Sequence, residues 1–147
     1  MWMLLGLLSL AGFPERFELK DQHGTILQLE SQPKAEIRLV LAADARSVRA
    51  LAKWVKTKSS DFFELNALFC AVDINEMPEK IKEKRFLPKI RASAMRLFII
   101  DGTPQLEWVP RQEGEMTLVT LGPNHPPQYA HLKNAEALDA IFSQEEK

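Results

Sequence analysis

The chain has 147 residues, 46% of them hydrophobic, with 19 basic against 20 acidic side chains. A domain of that length buries roughly 70% of the surface its unfolded chain exposes, so a core without metal or disulfide is within reach. Near-neutral charge excludes a global bias toward nucleic acid or an anionic membrane, and the single cysteine, Cys70, excludes an intrachain disulfide or a two-cysteine redox couple.

Residues 1–13 carry no charge and include Trp2, Met3, Leu4, Leu5, Leu7, Leu8 and Leu10 before Pro14, Glu15 and Arg16 break the run. The run falls short of the ~20 apolar residues that span a bilayer. It has the apolar core of a secretory signal, with Ser9, Leu10 and Ala11 as a small-x-small cleavage site, but no basic residue precedes it. A start upstream of Met1 would supply the missing part. The expectation is export, with an apolar arm packed on the domain or an uncleaved anchor as alternatives. No cysteine follows at once, so a lipoprotein signal is not expected. Residues 14–147 form one domain in this division. It would be periplasmic or secreted if the signal acts and cytoplasmic otherwise, and membrane contact is expected only through residues 1–13.

Phe17, Glu18, Leu19 and Thr25 to Leu29 alternate apolar and polar around Asp21, Gln22, His23 and Gly24, which predicts a β-hairpin. His23 is then a turn residue. Ile37 to Ala43 is an apolar run followed by Asp44, and Val48, Leu51, Ala52 and Val55 recur at helical spacing. The pattern predicts a buried strand, a turn with Asp44 as N-cap, and a helix. Lys56 to Asp61 is expected as a polar connection. Ala67 to Val72 is a second strand, parallel to the first because a helix joins them. Cys70 in its middle is expected to be a small buried hydrophobe.

Asn75 to Pro78 predicts a helix start, and the helix is expected to break or kink at Pro88. Lys80, Lys82, Lys84, Arg85, Lys89, Arg91 and Arg96 face Glu83 alone in this stretch, either as a solvated face or as a patch for an acidic partner or headgroups. Met95 to Ile100 is a third strand. Asp101 and Gly102 predict a hairpin in which Leu106 to Val109 pairs back with it. Glu115 to Leu121 is a further strand, Gly122 to Pro127 turns the chain, and Gln128 to Leu132 returns antiparallel. Asn134 to Phe142 closes the domain as a capped helix, and Ser143 to Lys147 is a polar tail.

Hairpin, β, α, β, α, β, hairpin and helix, in that order, resemble the thioredoxin-like superfamily over residues 15–142. The form is the longer redoxin or peroxiredoxin one, to whose opening Phe17 to Gly24 is similar. More narrowly, Val72 to Asn75 with Pro78, the basic helix, Phe98 to Asp101 and Gln128 to Ala130 resemble the cysteine-free YtfJ-like periplasmic proteins. The resemblance implies an α/β three-layer fold with an N-terminal β-hairpin and a central mixed sheet flanked by helices. It also implies that redox chemistry would need a thiolate at the first turn of the helix after the central strand, where N–H groups and the dipole lower its pKa. Asp44, Ala45, Arg46, Ser47 and Val48 stand there. A serine hydroxyl without a base cannot exchange disulfides. The cis-proline that the family places before its C-terminal hairpin is replaced by Glu113, Gly114 and Glu115.

Both departures favour a redox-inactive, non-enzymatic protein that binds an unidentified protein partner. Asp44, Arg46, Ser47 and Arg49 are the candidate contacts. Arg46, Arg49, Lys53 and Lys56 form a basic stripe on that helix, either solvated or able to hold an anion near its N-terminus. The alternative is a thiol oxidoreductase or peroxidase that uses Cys70 with an external resolving thiol. His23, His125 and His131 have no spacing that suggests a metal, and neither metal nor cofactor is expected.

Overall fold

The protein, described by a computed structural model over residues 12–93, 96–102 and 105–143, consists of a two-stranded hairpin and a five-stranded mixed sheet with helices. Residues 1–11 of the apolar segment and the tail 144–147, with Ala94, Met95, Thr103 and Pro104, lie outside the described residues. The hairpin is β1 (Arg16–Lys20) with β2 (Ile26–Glu30). Its turn is held by the Asp21 carboxylate, which accepts from His23 N and Thr25 N, each at 2.9 Å, and Gly24 sits at φ +88° where a side chain would strain.

The sheet contains β3 (Ile37–Ala42), β4 (Leu68–Asp73), β5 (Phe98–Ile100), β6 (Met116–Gly122) and β7 (His125–Leu132) in the order β5-β4-β3-β6-β7. β3 pairs in parallel with β4 and antiparallel with β6, and β4 pairs in parallel with β5. A central strand covered on both faces needs apolar residues at consecutive positions, which is why β3 reads as a run rather than an alternation. The β6–β7 turn is tighter than the sequence suggested. Pro126 and Pro127 fall inside β7, an edge strand where a missing N–H is tolerated.

The helices are α1 (Ala45–Lys56), α2 (Ser60–Leu65), α3 (residues 79–91) and α4 (Ala135–Ser143). They share one face of the sheet. Val40, Cys70, Val72 and Leu118 point into a core with Leu51, Trp54, Phe62, Ile90, Leu138 and Phe142. The intervening residues Leu39, Leu41, Ala71 and Val119 point the other way, onto Leu19 and Phe17 of the hairpin and onto Leu106, Trp108 and Val109. Hairpin and loop, sheet, and helices are therefore the three layers.

Four expectations need correction. Residues 56–61 are not only a polar connection, because α2 begins at Ser60 and places Phe62 5.7 Å from Trp54 in an edge-to-face contact. α3 starts at Glu79, not Asn75. Pro78 is its N-cap, and Asn75 is spent on the turn after β4, where its side chain donates to Asp73 and accepts from Gly102 N. Pro88 does not end α3. Residues Lys82–Phe86 are π-helical, with Leu87 N donating to Lys82 O, and the chain continues helically over Leu87–Arg91. A proline lacks the N–H and clashes with the carbonyl four residues back; the wider turn before it relieves both problems. Finally, Leu106 to Val109 does not pair with β5. Val109 N closes a turn on Leu106 O at 3.1 Å, both side chains are buried on the hairpin side, and Trp108 packs on Phe17 with ring centroids 5.4 Å apart.

Candidate functional site

β3 delivers the chain to Ala43 and Asp44 at its C-terminal end, beside the end of β4 at Asp73. Open α/β sheets place their ligand crevices at this edge. Asp44 has an extended backbone and caps α1: its Oδ1 accepts Ser47 N at 2.9 Å and Ser47 Oγ at 2.7 Å. Ser47 Oγ in return accepts Asp44 N at 3.2 Å, closing a capping box. Asp44 Oδ2 accepts the amide of Gly114 in a short hydrogen bond. Burial alone would raise the Asp44 pKa, but the hydrogen bonds from Ser47 and Gly114 and the charge of Arg46 outweigh it and hold the carboxyl below its usual value.

The four candidate contacts therefore separate. Ser47 is buried and committed to the cap, Asp44 is half-buried with both oxygens engaged, and Arg46 and Arg49 are exposed. The basic stripe divides as well. Arg46 turns toward Gly114, whose added Cβ would lie 3.7 Å from Arg46 Cδ, whereas Arg49, Lys53 and Lys56 face a cleft against α3. Gly114 has φ +76°, a bend that suits glycine, and the described residues contain no cis peptide bond.

Two clefts flank the junction and share Ala43, Asp44, Asp73 and Glu76. One, of about 580 Å³, is mostly apolar and lies between α1 and α3. The other, of about 480 Å³, has a mixed polar and apolar lining that includes Arg111, Glu113 and Glu115. On its wall Arg111 Nη1 donates to Asp73 Oδ2 at 2.6 Å and Arg111 Nη2 donates to Gln105 O at 3.0 Å. Asp73 also accepts Asn75 N at 3.0 Å. Asp73, Arg111 and Gly114 were not singled out as site residues from sequence, and Lys89 was named only within the basic stretch. Only the end of an apolar run marks Asp73, and nothing local marks Arg111 or Gly114.

The basic stretch after Lys80 does not form one patch. Lys82 is buried and donates to Asp101 Oδ1 at 2.7 Å, a hydrogen bond that raises its pKa against desolvation. Arg96 stacks 5.2 Å from the Phe98 ring centroid, and Lys89 points to the apolar cleft. Cys70 is 2% exposed on the helix-side core, and burial pushes its thiol pKa well up. His23 is exposed in the hairpin turn, His125 Nδ1 lies 2.8 Å from Pro126 O, and His131 Nδ1 lies 3.1 Å from Thr117 Oγ1. Among the described residues no three His, Cys, Asp or Glu are grouped to hold a metal ion, and no helix is long and apolar enough to cross a membrane.

No protein-family model and no curated protein sequence matches the chain. Solved structures do. A pneumococcal exposed lipoprotein thioredoxin from Streptococcus pneumoniae is 12% identical, with a TM-score of 0.59 over 88% of this chain and 98% of its own. The thioredoxin domain of a thiol-disulfide oxidoreductase from Bacteroides vulgatus is 12% identical, with a TM-score of 0.53 over 92% of this chain and 97% of its own. StoA from Bacillus subtilis is 12% identical, with a TM-score of 0.52 over 90% of this chain and 98% of its own. The fold is thioredoxin-like.

Proposed function

We propose that the protein is a redox-inactive thioredoxin-fold binding module, exported through its apolar N-terminal segment, that engages a protein partner around the start of α1, with Arg46 and Arg49 on its two sides. One observation carries this reading. The first turn of α1, where a thioredoxin-type enzyme needs a thiolate, is closed by the Asp44–Ser47 capping box and the Gly114 amide. The helix-terminal N–H groups that would stabilise a thiolate serve a carboxylate instead. The Ser47 hydroxyl donates to Asp44 Oδ1, a carboxylate whose pKa is held down by its own hydrogen bonds, which makes it a weak base for activating a hydroxyl. A buried Cys70 with a raised pKa supplies little thiolate, and the thiolate is the attacking species.

The test is the rate at which Cys70 reacts with an aromatic disulfide reagent and with hydrogen peroxide in the folded protein, beside a Cys70→Ala control. The expected result is silence until denaturant unfolds the chain. A folded-state rate at or above that of a free thiol overturns the proposal and favours Cys70 as a nucleophile acting with an external resolving thiol. With the thiol silent, Arg46→Glu and Arg49→Glu would each weaken partner capture from the exported fraction.

A further inference from the structure

The apolar cleft of about 580 Å³ is lined by Val48 and Ala52 of α1, Phe86 and Ile90 of α3, and Ile74 and Met77 from the loop between β4 and α3. That size suits a small organic molecule, for which cavities of roughly 300–1,000 Å³ are usual. β3 and β4 run parallel, so the helices that follow them both end at the same end of the cleft. Lys53 and Lys56 occupy the last turn of α1 and Lys89 the last turn of α3, and all three line the cleft. Lys56 and Lys89, from different helices, therefore line the same cleft. Among the described residues, neither these three lysines nor Arg49 has an ion-pair partner.

A lysine at a helix C-terminus is ordinary, since the dipole favours a cation there. Lysines from two different helices lining one cleft are not, because like charges repel. An anion between them would turn that repulsion into two attractions, while the apolar walls would cover the rest of the same molecule; the carboxylates that line the cleft, Asp44, Asp73 and Glu76, belong to the α1 N-cap, the end of β4 and the loop after it, not to the helix C-termini that carry the lysines. We infer that this cleft binds a small amphipathic carboxylate, an acyl chain of medium length whose tail lies between α1 and α3 and whose head sits between Lys56 and Lys89. This goes beyond the binding role proposed above and rests on it only in treating the α1 junction as non-catalytic. Desolvation first, and the neighbouring Lys89 charge second, lower the Lys56 pKa, and an anion at this place would raise it again.

Calorimetric titration of the full chain with octanoate, decanoate and dodecanoate, and with decylammonium as the cationic counterpart, tests the inference. The expected result is one saturable site that tightens about fourfold per methylene and rejects decylammonium. Lys56→Gln and Lys89→Gln, both at exposed positions, each weaken decanoate binding by about fivefold. Lys84→Gln makes the same charge change on α3 outside the cleft and leaves binding unchanged. Ala52→Phe fills the cleft and abolishes the site, which separates it from any alkyl binding by residues 1–13. Circular dichroism confirms that each variant is folded. Absence of saturable binding, equal affinity for decylammonium, indifference to chain length, equal weakening by Lys84→Gln, or binding that survives Ala52→Phe each overturns the inference. A thiol-silent protein that ignores decanoate fails this inference alone, whereas a reactive Cys70 fails the binding role beneath it.

Discussion

Asp44→Ala removes the carboxylate that closes the first turn of α1 and ties it to the 113–115 loop. Losing an N-cap side chain costs about 0.5–2 kcal/mol. The Gly114 amide also loses its acceptor. A fully buried orphan N–H costs about 1–3 kcal/mol, and because Gly114 is only half-buried the low end applies. Together these come to about 1.5–3 kcal/mol, which in a domain of this size lowers Tm by about 3–12 °C. Urea unfolding followed by far-ultraviolet circular dichroism measures it, with Ser47→Ala and the double variant completing a cycle. A coupling of about 0.5–3 kcal/mol is expected between the two members of the box. The effect depends on pH with a defined sign. The folded Asp44 pKa lies below the usual 3.8, so its stabilisation is present above that value and is lost as pH falls through the folded pKa. The gap between wild type and Asp44→Asn therefore narrows on acidification below pH 3.8. A loss under about 0.5 kcal/mol at neutral pH, or a gap unchanged in acid, refutes the role assigned to the cap.

Two further predictions concern the long-range contacts. Arg111→Ala strips the Asp73 carboxylate, whose side chain is 9% exposed, of its 2.6 Å ion pair. Breaking a buried pair costs about 3–5 kcal/mol, and because Arg111 is partly exposed and Asn75 still donates to Asp73, about 2 kcal/mol is expected in denaturant unfolding, part of it recovered in Arg111→Ala with Asp73→Asn. No loss, or no recovery, contradicts the pairing. Trp54→Phe keeps the aromatic packing but deletes the 2.9 Å bond from Nε1 to Asp139, whose side chain is half-exposed and keeps Lys58, so about 1 kcal/mol is lost. That bond leads the causes that hold the Asp139 pKa down, ahead of Lys58, so its carboxyl titrates higher in the variant when followed by NMR. An unmoved titration would show that the indole does not carry the shift.

Much of the frame was legible because the bonds that make it are local. Asp44 caps Ser47 three residues on, Asn134 Oδ1 accepts Ala137 N, and Asp21 closes its own turn. Such bonds join neighbours in sequence, and so do the apolar runs of β3 and β4. Where local signals competed with packing, packing won. Asp101 and Gly102 form a hairpin signature, yet Leu106 and Val109 are buried in the core on the hairpin face instead of pairing with β5. Pro88 carries the signature of a helix end, yet Leu87 and Ile90 are buried in the core, and a widened turn lets the helix continue far enough to place them there.

The candidate site divides the same way. The sequence by itself determined that a thiolate is missing from the start of α1, since the residue types there are enough to exclude that chemistry. It could not determine what surrounds the gap. Gly114 reaches Asp44 across 70 residues and Arg111 reaches Asp73 across 38, and no local pattern encodes such a meeting. Four basic residues on α1 look like one stripe, but the packing of α3 and the 113–115 loop sends Arg46 to one side and Arg49, Lys53 and Lys56 to the other. Lys56 and Lys89 share one cleft because the helices that carry them follow two parallel strands. Residue types thus decide which chemistry is absent, while the tertiary packing decides which charges and apolar walls face one another, because distance through space is set by the sheet and not by the chain.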